Sequence, residues 1–257
     1  MSNNIKVTSL ASSSKGNCYH IKSGENEILI DVGISAKGIC DGLCSIGTSI
    51  DNIKAIFITH EHIDHVKGLC VLTKKRNIPV HMMKATAVEF SKKHPEYVGA
   101  FEHDTHFVCD VGNMKIRSFF SSHDSADCVG YTVETDCDKF GLATDTGYID
   151  KEAVNALLNC NSVVLESNYD EKMLLNGTYP EDLKIRIKSS TGHLSNYDCA
   201  AFARFLAEHG TKNFMLGHLS EENNTPEIAL NITSRALKDF ENIVIKVAAV
   251  NTPTMLI

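Results

Sequence analysis

Short apolar runs set the rhythm of the first third of the chain. Ile5–Leu10, Cys18–Lys22, Glu27–Asp31 and Ile53–Thr59 each have the length and β-forming composition of a strand. Lys54-Ala-Ile-Phe-Ile-Thr59 is apolar at neighbouring positions, as expected for a strand buried on both faces. The stretch around Cys40 and Cys44 reads as helix. Asp64–Arg76 is expected as one helix, leading to a strand at Ile78–His81. Strands are expected again around Thr105–Cys109, Met114–Ser121, Val129–Thr135 and Phe140–Ala143. Later strands at Ser162–Glu166, Asn213–Leu216 and Ile243–Val247 interleave with helices. One helix opens on the capping-box-like Ser195-Asn-Tyr-Asp198, with Cys199, Phe202, Ala203 and Leu206 along one stripe. Another opens on Thr225-Pro226 and runs to about Phe240, since proline suits the first helical position. Strand-rich halves carrying helices predict an α/β protein whose sheets pack on each other with the helices outside. No repeat or low-complexity linker divides the sequence, and residues 1–257 are read as a single domain.

Composition changes this picture only at the margins. A chain of 257 residues can bury a substantial core. No apolar run approaches the roughly 18–20 residues that span a bilayer. Met1 to Leu10 lacks a basic segment followed by an apolar one, so a cytoplasmic protein without membrane association is expected. Nine cysteines stand singly, without CxxC pairs, and are read as reduced thiols, most of them core fillers. The net charge of −7 argues against a broad, sequence-independent surface for nucleic acid. Two bound divalent cations would nevertheless add about four positive charges where a phosphate must sit. Basic clusters at Lys74-Lys75-Arg76 and at Lys184, Arg186 and Lys188 are either solvated faces or local contacts for a polyanion.

The chemistry concentrates in Thr59-His60-Glu61-His62-Ile63-Asp64-His65, where His60, His62, Asp64 and His65 fall within six residues directly after a buried strand. His60 and His62, two apart on an extended segment, project the same way and can clasp one metal ion. Asp64 and His65, at the start of the following helix, can face a neighbouring ion. Imidazole and carboxylate suit Zn²⁺, Fe²⁺ or Mn²⁺, and the lack of thiolates argues against a closed structural zinc site. The competing reading, a histidine-rich surface loop, does not explain why the motif follows a buried strand.

HxHxDH in this context resembles the metallo-β-lactamase superfamily, and the other motifs of that family follow in order. Asp31 in Ile-Leu-Ile-Asp-Val-Gly matches the aspartate that supports the metal-binding histidines. His123 in Ser-Ser-His-Asp-Ser, Asp145 in Ala-Thr-Asp-Thr-Gly and His218 in Leu-Gly-His-Leu-Ser match the remaining ligands. The resemblance implies a four-layered αββα sandwich of two mixed β-sheets. It also implies two divalent metal ions: His60, His62 and His123 on one, Asp64, His65 and His218 on the other, and Asp145 bridging both.

Ala11-Ser-Ser-Ser-Lys-Gly-Asn-Cys-Tyr19, Leu165-Glu-Ser-Asn-Tyr-Asp170, Gly177-Thr-Tyr-Pro180, Thr191-Gly-His-Leu-Ser-Asn196 and His218-Leu-Ser-Glu-Glu-Asn-Asn224 narrow the resemblance to the YycJ/WalJ (VicX) group. Tyr169 and Cys128 depart from that group, which more often has His and Pro there. The group is laid out like RNase Z and is associated with 5′-to-3′ exonuclease activity on DNA. By that resemblance DNA is the expected substrate, single- or double-stranded, with RNA as a further candidate. Asp64 would orient the attacking water as well as bind metal, and Glu166 would steer His193, which protonates the leaving oxygen. Ser12, Ser13 and Ser14 are candidates for a polar rim, and Asn223 and Asn224 for substrate contact. His20, His81, His94, His103, His106 and His209 receive no role. Two other function classes stay open at this point: a small-molecule metallo-hydrolase (phosphodiesterase, lactonase or thioester hydrolase), and a non-catalytic metal-binding regulator.

Overall fold

A computed structural model describes residues 4–74, 76–97 and 99–257. Two seven-stranded sheets form the centre. The first contains β1 (Lys6–Ala11), β2 (Cys18–Ser23), β3 (Asn26–Ile30), β4 (Ile53–Phe57), β5 (Val80–Met83) and β6 (Ala100–His103). The second contains β7 (Val108–Val111), β8 (Met114–Phe120), β9 (Val129–Glu134), β10 (Lys139–Ala143), β11 (Ser162–Glu166), β12 (Asn213–Gly217) and β13 (Val244–Val247). β14 (Thr254–Met255) returns to the first sheet and pairs antiparallel with β1. Both sheets are mixed. β3 to β6 run parallel, as do β10 to β13, and antiparallel strands complete each sheet.

Alternation along the strands divides the apolar residues among three layers. Phe57, Tyr131, Phe140, Val164 and Met215 meet between the sheets. Their neighbours Ile56 and Ile58 face α1 (Ala36–Ser45), α3 (Leu69–Thr73) and α4 (Lys84–Lys93) on the outside of the first sheet. Val163, Leu165, Phe214 and Leu216 face α5 (Lys151–Leu157), α8 (Asn196–Glu208) and α9 (Pro226–Ala236) on the outside of the second. The result is the four-layered αββα sandwich. Each fully buried Phe, Leu or Ile contributes roughly 1.5–3 kcal/mol, which is why β4 and β11 tolerate no polar position in their centres.

The expected caps are present. Ser195 accepts from Asp198 N at the start of α8, and Thr225 accepts from Ile228 N at the start of α9. α9 ends at Ala236, earlier than the expected Phe240. The single helix expected over Asp64–Arg76 is instead α2 (Ile63–Val66) and α3, with Lys75 outside the described residues. The break has a physical cause at Gly68, whose N–H donates to Val32 O at 2.8 Å. A Cβ there would lie 2.7 Å from Ile34 O. The strand expected at Thr105–Cys109 is displaced to Val108–Val111. β6, α4, α5, α6 (Glu171–Asn176) and α7 (Glu181–Ile187) were not anticipated. All nine cysteines are free: Cys18, Cys128, Cys160 and Cys199 are buried, Cys40, Cys70 and Cys109 pack partly buried against the core, and Cys44 and Cys137 are exposed. Among the described residues no helix is long and apolar enough to cross a membrane.

Candidate metal centre

Where the parallel strands end, the chain turns sharply and deposits its polar residues. Asp31 follows β3, His60 lies just beyond β4, Asp145 just beyond β10, Glu166 ends β11, and His218 follows β12. Such a cluster at carboxyl ends of strands is the usual location of a site in α/β proteins. Asp31, Asp145 and His218 hold φ values of 58°, 56° and 54°. Left-handed backbone at a residue other than glycine costs roughly 1–3 kcal/mol and concentrates at functional positions.

The seven residues matched to ligands converge in two groups. His60, His62 and His123 bring their ligand atoms within 4.8 Å of one another, with ring centroids 4.5, 5.1 and 5.2 Å apart. Asp64, His65, Asp145 and His218 form the second group. In it, His65 Nε2 is 3.3 Å from Asp64 Oδ2 and 3.2 Å from Asp145 Oδ2. His218 Nε2 is 3.4 Å from Asp64 Oδ2 and 3.3 Å from Asp145 Oδ1. Asp145 also reaches the first group, with Oδ1 3.8 Å from His123 Nε2.

Each of three imidazoles is fixed through Nδ1, which leaves Nε2 for the cluster. His65 Nδ1 donates to Asp31 Oδ2 at 2.7 Å, and Asp31 is itself held by the N–H and hydroxyl of Thr59. His218 Nδ1 donates to Glu166 Oε1 at 2.8 Å, and His123 Nδ1 to Gly192 O at 3.0 Å.

The donor set fits divalent cations. His60 Nε2 is buried and has no hydrogen-bond partner among the described residues, a costly arrangement unless an ion completes it, and the buried Asp145 Oδ2 has only the Nε2 of His65 beside it at 3.2 Å. Burial, with His65, His123 and His62 crowded alongside, holds His60 well below the ordinary histidine range, so its lone pair is available. Burial disfavours charge on His218, yet Asp145, Asp64 and Glu166 outweigh it and push its imidazole up to about 10. Burial also raises Asp64, but His65 and His218 hold its carboxyl far below the usual carboxylate range. The carboxylates therefore stay ionised and draw positive charge into the cluster.

Glu166 and His193 are joined beside this group. Glu166 Oε1 accepts from His193 Nδ1 at 2.7 Å, and Oε2 accepts from the N–H groups of Thr146 and Leu194 at 2.9 and 3.2 Å. Glu166 is fully buried and also braces His218, a second duty that the sequence did not reveal. His193 stands at the wall of a cavity of about 170 Å³ lined by Ser14, Asn168, Tyr179 and Arg186.

Several supporting residues escaped the sequence reading. Asn17 is buried, donates to Ser13 O at 3.0 Å, and lies 3.3 Å from His65 Nε2. Asn168 donates to His218 O at 2.8 Å, and Ser12 Oγ accepts from His218 N at 2.8 Å. Asn17 N donates to Asp64 O at 2.8 Å and Gly33 N to Asn17 O at 2.7 Å. Only glycine fits at Gly33, because a Cβ would fall 1.5 Å from Asp64 O. The signal for Asn17 was its place in the Ala11–Tyr19 motif.

Most of the other candidates are buried or paired within the fold. Ser12 and Ser13 are buried rather than on a rim. Asn224 is buried and bonds to Asn196 and to the carbonyls of Ser167 and Asn168, and Asn223 is buried beside it. Lys184 is buried, donating to Leu175 O and Glu181, so it is no part of a basic surface. Arg76 pairs with Asp51, and Arg186 with Asp124. Tyr169 packs with Leu174 and Ile187, and Cys128 lies buried with Sγ 3.7 Å from Asp145 O.

The fold and site together define a metal-dependent hydrolase of the β-lactamase type, and the model of the β-lactamase superfamily domain matches residues 26–219. The exodeoxyribonuclease YycJ of Bacillus anthracis is 35% identical over 238 residues, covering 90% of this chain and 88% of that protein. The exodeoxyribonuclease WalJ of Streptococcus pneumoniae serotype 2 (strain D39) is 37% identical over 234 residues, covering 88% and 85%. Among solved structures, the metallo-β-lactamase fold protein YhfI of Bacillus subtilis shares the fold with a TM-score of 0.73 at 15% identity, across 98% of this chain and 99% of that one. The chain belongs to the β-lactamase superfamily and, within it, to the YycJ/WalJ group.

Proposed function

We propose that this chain is a cytoplasmic metal-dependent phosphodiesterase that degrades DNA as an exonuclease from the 5′ end, with residues 1–257 forming one domain. The observation that carries it is the meeting of two donor sets at Asp145, beside a Glu166–His193 pair. The names of its relatives add nucleic acid as the substrate class. We assign His60, His62 and His123 to one ion, Asp64, His65 and His218 to a second, and Asp145 to both. Zn²⁺, Mn²⁺ and Fe²⁺ all suit these donors. Bound there, two divalent ions supply an activated water at neutral pH and neutralise charge growing on phosphoryl oxygens.

The protein's own groups divide the remaining work. The Asp64 side chain is 17% exposed against 2% for Asp145, so Asp64 is the carboxylate placed to orient the attacking water. With Nδ1 committed to Glu166, His193 has Nε2 left to pass a proton to the leaving oxygen. Ser14 and the guanidinium of Arg186, whose Nε is held by Asp124, line the same cavity and offer donors to a phosphate.

Incubation with Mn²⁺ or Zn²⁺ and with single- and double-stranded DNA or RNA, labelled at one end or the other, tests this reading. Stepwise release from a 5′-labelled DNA end is expected, and its disappearance in Asp64→Ala. Hydrolysis of lactones or thioesters with DNA left intact would contradict it, as would metal binding without turnover of any of these.

A further inference from the structure

A second group of ligand atoms lies away from the centre just described. Cys70 on α3, His94 at the C-terminal end of α4 and Glu96 in the turn beyond it bring a thiol, an imidazole and a carboxylate within 4.8 Å of one another. The turn is ordered by its own contacts. His94 N donates to Phe90 O at 3.0 Å and Tyr97 N to His94 O at 2.9 Å. The His94 ring rests 4.6 Å from Phe90, which meets Tyr97 edge-on at 5.3 Å. Packing rather than hydrogen bonding therefore orients the imidazole. Its distance of 3.7 Å from Nδ1 to Glu96 Oε1 is too long for a hydrogen bond. Cys70 and His94 are half-buried, and a cavity of about 680 Å³ opens over Cys70, Glu96 and Tyr97.

Three different donor types within reach of one ion, with open space beside them, have the donor chemistry of a zinc site that keeps one position for water. We propose that Cys70, His94 and Glu96 form a separate site for one Zn²⁺ ion per chain. On binding, the Cys70 thiol releases its proton to solvent and its sulfur bonds to the ion. Burial and then the Glu96 charge raise the Cys70 thiol above its ordinary range, so it stays protonated until a cation arrives to offset both. The ion ties the turn after α4 to α3. Cys70 is five residues beyond His65, so the tie holds the segment that carries Asp64 and His65 from its far side.

Cobalt substitution under anaerobic conditions tests the proposal without reference to activity. The His and Asp centre contains no sulfur ligand, so a thiolate-to-cobalt charge-transfer band in the near ultraviolet reports this site alone. The expected result is such a band at an intensity of one thiolate per chain, absent in Cys70→Ser while the visible bands of the other centre persist. Glu96→Gln alters an exposed residue and leaves the fold intact. It is expected to shift the cobalt midpoint of that band by about tenfold or more. A wild-type protein without the band at saturating cobalt, a band of full strength in Cys70→Ser, or an unmoved midpoint in Glu96→Gln would overturn the proposal.

Discussion

Asp31→Asn separates charge and hydrogen bonding from shape. The native carboxylate receives three donors: Thr59 N at 2.9 Å on Oδ1, Thr59 Oγ1 at 2.9 Å on Oδ2, and His65 Nδ1 at 2.7 Å on Oδ2. Asparagine tolerates left-handed backbone, so the φ of 58° adds no new strain. One oxygen, however, becomes an NH₂. At the Oδ1 position it opposes the Thr59 N–H and leaves a buried backbone donor unsatisfied, costing about 1–3 kcal/mol. At the Oδ2 position it opposes His65 Nδ1–H and removes a charge-assisted bond worth about 1.5–3 kcal/mol. His65 can relieve that clash only by moving its proton to Nε2, which takes away the nitrogen facing Asp64 and Asp145. Both arrangements predict a metal-free protein about 1–3 kcal/mol less stable in urea with chelator present. They also predict metal affinity lowered about 10–100-fold, or roughly 1.4–2.7 kcal/mol, by chelator-competition titration. Affinity within twofold of wild type together with unchanged unfolding would refute this role for Asp31.

His193→Ala is expected to lower kcat on DNA by about 10²–10⁴-fold while inductively coupled plasma analysis finds the same metal content; metal lost in parallel would make His193 structural instead. Gly33→Ala places a Cβ 1.5 Å from Asp64 O and 2.8 Å from Asn17 N, so backbone must move. A loss of about 3 kcal/mol or more is expected in denaturant unfolding, and a neutral variant would contradict the close approach. Burial, with His103 beside it, lowers His81 to about 4. A histidine kept neutral in the fold contributes stability that is whole above the unfolded value of about 6.5 and is lost as pH falls towards about 4. Discounted for its half-exposed position, His81 accounts for about 1–2 kcal/mol across that window. His81→Phe, stacked between Phe57 and Phe101, should flatten the pH slope of stability by that amount, and an unchanged slope would show that His81 does not couple to folding.

Legibility in the sequence followed the range of the interactions. His60, His62, Asp64 and His65 were visible because four ligands fall in one turn after a strand whose burial its composition announces. β4, β11 and β12 were visible for the same reason: adjacent apolar residues with a core on each side leave no room for polar ones. Asp31, Asp145 and His218 are single residues separated by long stretches, and only their order within a family pattern marked them. Asn17, Asn168 and Ser12 act through backbone groups of distant ligands, such as Asn168 on His218 fifty positions away, and no local pattern encodes that. The split of the expected 64–76 helix is likewise dictated from outside, by the carbonyls of Val32 and Ile34 pressing on Gly68. α5, α6 and α7 are at most seven residues long, too short for a 3.6-residue period to declare itself. Lys184 looked like part of a basic face because charge is read from the sequence, whereas its burial against Leu175 O is not.

Crystals grown without added metal, measured at the zinc, iron and manganese absorption edges, address the metal centre most directly. Two anomalous peaks are expected among the seven side chains, one beside His60, His62 and His123 and one beside Asp64, His65 and His218, with Asp145 next to both. A map in which this cluster is closed by protons and ordinary hydrogen bonds, with no peak at either position in protein reconstituted with any of the three metals, would contradict it.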